Sequence, residues 1–129
     1  MKLDLGLLVL RISAGLMIAL GHGWGKLTGF SVIVPRFPSI FGLGSQVSLA
    51  LAVFAEFFCA LAVAAGFKTR WAALPVAFTM LVAAVVVHAA DPWSKKELAL
   101  LYAVPFITLF FTDGGRFSVD SFTRARGRR

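Results

Sequence analysis

The chain has 129 residues, 59% of them hydrophobic and only 15% charged, with a formal net charge of +7. A water-soluble domain of this length has more polar surface to cover than those charges supply, so composition excludes a soluble monomer. It excludes nucleic acid as well, because the basic residues sit at the ends of apolar runs and in the last few positions, where a membrane protein meets anionic headgroups.

A membrane helix needs roughly 17–25 mostly apolar residues. The first span is expected over 5–24. It is short as Leu5 to Leu20 and reaches full length only with Gly21 to Trp24. Arg11 interrupts its apolar run, and Gly21-His22-Gly23-Trp24 is a poor cleavage context, so it reads as an uncleaved helix. The next stretch, 25–46, is rich in Gly and Phe and contains Pro35 and Pro38; it is expected to be an outer-face interfacial or re-entrant segment. Second and third spans follow over 47–67 and 71–90, with Pro75 in the early turns of the third, where it costs little. The fourth is expected over 95–112. Pro92 stops the preceding element, Ser94 and Glu97 are spaced as a capping box, Pro105 predicts a kink, and Gly114-Gly115 ends the helix. The expected fold class is therefore all-α: one domain, an integral membrane four-helix up-down bundle, with a basic tail over 113–129.

Orientation follows from the basic residues. Lys2, Lys68, Arg70, Arg116, Arg124, Arg126, Arg128 and Arg129 fall on one side, against Lys26, Arg36, Lys95 and Lys96 on the other. The positive-inside rule then predicts both termini in the cytoplasm, N-in and C-in, with the chain in the cell's inner (plasma) membrane. Trp24 and Trp93 mark the outer interface, and Trp71 the inner one.

Ionisable groups in hydrocarbon are costly and mark function or internal pairing. Projected at 100° per residue, each span offers one polar or small-residue stripe. Arg11, Gly15, Ile18, His22 and Lys26 share the first, and Ala52, Glu56, Ala60 and Val63 the second. Arg11 lies about 9 Å and Glu56 about 16 Å from the inner end of their spans at 1.5 Å per residue. A snorkelling arginine bridges that difference, which predicts an Arg11–Glu56 intramembrane pair; the competing reading has Arg11 in the inner headgroups and Glu56 protonated. Two glycine series, Gly15-Ala19-Gly23 and Gly21-Gly25-Gly29, are read first as close helix packing and second as a locally unwound end facing a ligand.

A second polar group gathers at the outer ends: His22, Lys26, His88, Asp91 and Glu97. Glu97 reads equally as a helix cap, and Lys26 and Asp91 as interfacial charges in water. His22 and His88 fall at similar depth on the diagonal spans one and three, where their imidazoles can donate to a quinone carbonyl or hold a metal or b-type haem. Two histidines without a supporting ligand pattern make haem b the weaker of these, and no metal site is assigned. The candidate ligand-binding residues of this outer pocket are His22, Lys26, His88 and Glu97. Cys59 is a lone thiol, with no CxxC or zinc spacing, which excludes the chemistry of four-span dithiol oxidoreductases.

The order of these features resembles the DoxX family of small four-span membrane proteins over nearly the whole chain. The resemblance is carried by Arg11 and Gly21-His22-Gly23-Trp24-Gly25-Lys26-Leu27, by Glu56 with the Gly66-Phe67-Lys68-Thr69-Arg70 turn, and by Met80 through His88. Glu97 through Leu101 and the ending Asp113-Gly114-Gly115-Arg116-Phe117-Ser118-Val119-Asp120 complete it. It implies a four-helix bundle with cytoplasmic termini. The family takes its name from a subunit associated with a thiosulfate:quinone oxidoreductase, and other members are linked to complexes handling thiol or oxidative stress. It therefore implies a quinone-linked redox subunit with protein partners in the bilayer. Two alternatives follow from the residues: a non-catalytic partner or assembly factor docking through the basic tail, and a small-molecule transporter. The last needs a homo-oligomer, because 129 residues leave little room for alternating access.

Overall fold

The computed structural model describes residues 1–128. Every regular element among them is helical. Helix α1 runs from Lys2–Thr28, and a short α2 (Phe30–Ile33) with one tighter turn (Val34–Arg36) leads into a looped segment. Then come α3 (Ser45–Ala65), α4 (Thr69–Val87), α5 (Trp93–Thr112) and α6 (Val119–Gly127).

Three of these, α1, α3 and α4, are long and apolar enough to cross a membrane. Helix α5 matches them in length with 20 residues, but carries Lys95, Lys96 and Glu97 in its first turns. On their outer surfaces these helices bare large apolar side chains along their whole length, among them Val9, Met17, Phe54, Phe78, Leu101 and Phe111, each more than half exposed. A surface of that kind is untenable in water and ordinary in lipid. The protein is a membrane protein.

Small residues set the spacing between α1 and α3. A Cβ on Gly15 would fall 2.7 Å from the carbonyl oxygen of Ala60, and one on Gly23 2.5 Å from that of Glu56. Ala19, between them, is fully buried. The other glycine series behaves differently, since added methyl groups at Gly21 and Gly25 would meet nothing. Close packing therefore belongs to Gly15-Ala19-Gly23 alone.

Helix α3 ends at Gly66, whose φ of +76° is open to glycine and strained for other residues. Gly66 N–H donates to Val63 and Phe67 N–H to Ala62, the paired bonds that close a helix C-terminus. Helix α4 starts directly afterwards, capped from a distance. The Asp120 carboxylate accepts from Lys68 N–H (2.7 Å), Thr69 N–H (2.9 Å) and the Thr69 hydroxyl (3.0 Å). Helix α5 begins at Trp93 with Pro92 at its cap and no side-chain cap bond. The expected Ser94/Glu97 capping box is thus absent, because Pro92 takes the cap position and Ser94 falls inside the first turn. Pro105 lies within one unbroken helix, and the chain leaves α5 at Asp113 with φ +61°.

Buried side chains such as Ile18, Leu49, Val63, Val76, Phe106 and Leu109 fill the centre where α1, α3, α4 and α5 pack together. Among them lies Arg11, only 2% exposed.

Candidate functional site

Two of the long helices are interrupted by a π-helical turn, Ala19–Gly23 in α1 and Phe54–Cys59 in α3, and α4 ends in one, Ala83–Val87. Such turns carry an extra residue, loosen the hydrogen-bond ladder and are frequent at functional sites. Here they converge. His22 sits in the first and Glu56 in the second, while the third ends at His88, whose N–H reaches back five residues to Ala83. All three wall one cavity of about 630 Å³.

Most of the cavity wall is apolar. Leu51, Phe54 and Ala55 come from α3, Phe78 and Val82 from α4, and Leu98 from α5. The segment between α2 and α3 closes it with Phe37, Pro38, Ile40, Phe41 and Leu43. That loop is pinned by its serines: Ser45 Oγ donates to Phe37 O (2.6 Å), while Ser48 and Ser39 hydroxyls accept from Ile40 and Gly44 N–H (both 2.9 Å). The stretch expected to be interfacial or re-entrant is therefore a wall of the site.

Polar groups enter from several helices. Lys26 Nζ donates to Glu56 Oε2 at 2.5 Å, with Glu56 buried and Lys26 about a quarter exposed. His22 meets the ring of Tyr102 edge-on, with centroids 5.5 Å apart and planes at 78°. His88 Nδ1 lies 2.6 Å from Asp91 Oδ2, and Lys95 completes the polar rim. The Asp91 carboxyl is held below the usual carboxylate range chiefly by that His88 hydrogen bond, with Lys95 and Lys96 adding to it.

Of the four residues expected to form an outer pocket, His22, Lys26 and His88 line this cavity; Glu97 is exposed and does not. About 150° round α5 from Glu97, Lys95 and Tyr102 face it instead. Tyr102 went unnoticed in the sequence, although it is the chain's one tyrosine and lies inside an apolar run.

The predicted Arg11–Glu56 pair is not formed. Arg11 Nη1 donates to Ala64 O (2.6 Å) and Nη2 to Phe117 O (2.5 Å), and Glu56 is taken by Lys26. Register explains the difference. With Gly15 against Ala60 and Gly23 against Glu56, antiparallel packing brings Arg11 level with Ala64. That is eight residues, about 12 Å, from Glu56. The π turn in α1 also rotates everything after Ile18 away from the uniform 100° projection, so Arg11 and Lys26 do not act as one stripe.

Chemically, the site offers an apolar chamber with a cation–carboxylate pair, two imidazoles and a phenol. Its volume falls within the roughly 300–1,000 Å³ typical of small-molecule pockets. It suits a ligand with an apolar body and hydrogen-bonding groups. Among the described residues no three His, Cys, Asp or Glu side chains gather as a metal group.

Comparison with known families matches the model described as DoxX over residues 6–89. No curated protein and no solved structure gives a significant match. The matched region covers α1 through α4 with the intervening loop, and so contains His22, Lys26, Glu56 and His88. By its sequence and its apolar helices, this chain belongs to the DoxX family of membrane proteins.

Proposed function

We propose that this protein is the quinone-binding subunit of a redox complex in the plasma membrane, the quinone ring entering the cavity between the π turns. The observation that carries this reading is an apolar chamber of about 630 Å³ whose polar side chains converge from three helices. A quinone needs both parts: hydrophobic walls for its body and donors for its carbonyl oxygens. His22, Tyr102 and Lys26 are the donors, and Lys26 stabilises negative charge developing on the ring. Glu56, joined to Lys26, takes the proton-exchange role that Glu97, which does not line the cavity, cannot fill. Electrons come from a partner subunit, since the chain's one cysteine, Cys59, is unpaired and buried.

Four crossings accompany this reading, α5 being the fourth, with both termini on the cytoplasmic side. The excess of Lys and Arg at the end that carries both termini supports that orientation, and Trp71 at one end of the apolar band with Trp24 and Trp93 at the other supports a band that spans the bilayer.

Purified protein titrated with a short-chain quinone, followed by quenching of tryptophan fluorescence, tests the proposal. Saturable binding is expected, weakened about tenfold or more by Ala83→Phe, which fills the chamber. Absence of saturation, or binding indifferent to Ala83→Phe, would sink it.

A further inference from the structure

At the end of the molecule opposite the cavity, acidic groups are used up internally and cations are not. Asp4 accepts from Arg116 N–H and lies 3.5 Å from the N-terminal amine. Asp113 faces Arg70 and Arg124 at 3.6 and 3.8 Å, and Asp120 is spent on the start of α4. Among the described residues, Lys2, Lys68, Arg116, Arg126 and Arg128 have no carboxylate partner there.

Helix α6 is fixed at a defined level by this arrangement. Asp120 binds Lys68 and Thr69 through its side chain and Gly66 O through its N–H (2.9 Å), while Arg11 holds Phe117 O. These anchors lie within a few residues of Trp71, which is 65% exposed and marks the edge of the apolar band. Helix α6 is therefore held at headgroup depth. Two residues after Asp120, Phe122 lies about 200° around the helix, turned away from the anchors, and it is 69% exposed. Val119 and Arg126 flank it at helical spacing of three and four residues, and Arg128 follows.

We infer that α6 is a lipid-reading helix: Phe122 and Val119 enter the headgroup–acyl boundary, and Arg126 and Arg128 bind the phosphates of anionic lipids. An apolar side chain flanked by unpaired arginines at that depth has the two ingredients of an interfacial helix, buried apolar area and attraction to an anionic leaflet. Acidic lipid is the occupant that the charge balance selects.

The test uses the full chain in nanodiscs of phosphatidylcholine alone or with about 30 mol % phosphatidylglycerol. Amide hydrogen exchange is read over 119–127, with peptides from α3 and α4 as the internal control. Exchange in α6 is expected to slow by about threefold or more in the anionic discs. Arg126→Glu/Arg128→Glu should abolish that difference, while Phe122→Ser should raise exchange in both lipids. Among the described residues the two exposed arginines make no side-chain hydrogen bond or ion pair, so the control peptides should not change. Equal exchange in the two lipids, or a lipid effect that survives the charge reversal, overturns the inference and leaves α6 as a face for a cytosolic protein.

Discussion

Lys26 of α1 and Glu56 of α3 are joined at 2.5 Å on the wall of the cavity, and each comes from or directly follows a π-helical turn. The pair is held at that place by Gly23, whose missing side chain lets the α1 backbone rest on the Glu56 carbonyl. Close backbone packing and a buried ion pair are thus two parts of one contact, and either can be broken separately.

Lys26→Met should leave the buried Glu56 carboxyl without its cation. Loss of one partner of a buried pair is costly, and with Lys26 a quarter exposed the expected coupling is about 2 kcal/mol. A double-mutant cycle with Glu56→Gln, read by thermal unfolding in mild detergent, should show it. The same cycle between Arg11→Met and Glu56→Gln should be additive to within about 0.5 kcal/mol, because those side chains do not meet.

Gly23→Ala should destabilise by about 2 kcal/mol, since the new methyl would sit against the Glu56 carbonyl carbon and oxygen and backbone cannot yield cheaply. Gly25→Ala, at a helical position facing open space, should be neutral or stabilising by up to about 1 kcal/mol. Midpoints of heat denaturation for the two variants should fall on opposite sides of, or at least well apart around, the parent value.

The His88–Asp91 contact gives a pH dependence of known sign. The Asp91 carboxyl is depressed in the folded protein, so its contribution is fully present above the ordinary carboxylate pKa and is lost as pH falls through the folded value. Asp91→Asn should therefore lower the melting temperature at pH 7 and at pH 5. Below about pH 4 the gap between variant and parent should close. A gap that is unchanged at pH 3 would contradict the assignment.

Asp120→Ala removes the remote cap of α4 and should cost about 1–2 kcal/mol, in the range measured for helix N-caps. It should also free α6, and limited trypsin should cut after Arg124 and Arg126 sooner than in the parent protein.

Most of the architecture could be read from hydropathy. The apolar runs of α1, α3 and α4 are long and broken by few charges, and burial from water leaves such runs few alternatives to helix. What uniform periodicity could not show is the π turn. One extra residue in Ala19–Gly23 changes which side of α1 each later residue occupies, and no residue type announces it. This is why His22, Lys26 and His88 could be placed near one end, yet Lys26 could not be matched to Glu56. The contribution of Phe37 to Leu43 was hidden for another reason: the loop wall depends on serine bonds across eight residues, not on a helical repeat. Asp120 was equally hard to foresee, since its partners lie about fifty positions earlier in the chain.

Arg11 has a consequence for the order in which the protein is made. Its acceptors are the carbonyls of Ala64 and Phe117, 53 and 106 positions downstream. When the first helix emerges from the ribosome, neither acceptor has been synthesised, and the guanidinium has only headgroups or water to satisfy it. Both bonds of Arg11 can form only after Phe117 has arrived. A chain truncated before Phe117 should therefore persist as a target for membrane proteases, although every apolar segment it needs is already present.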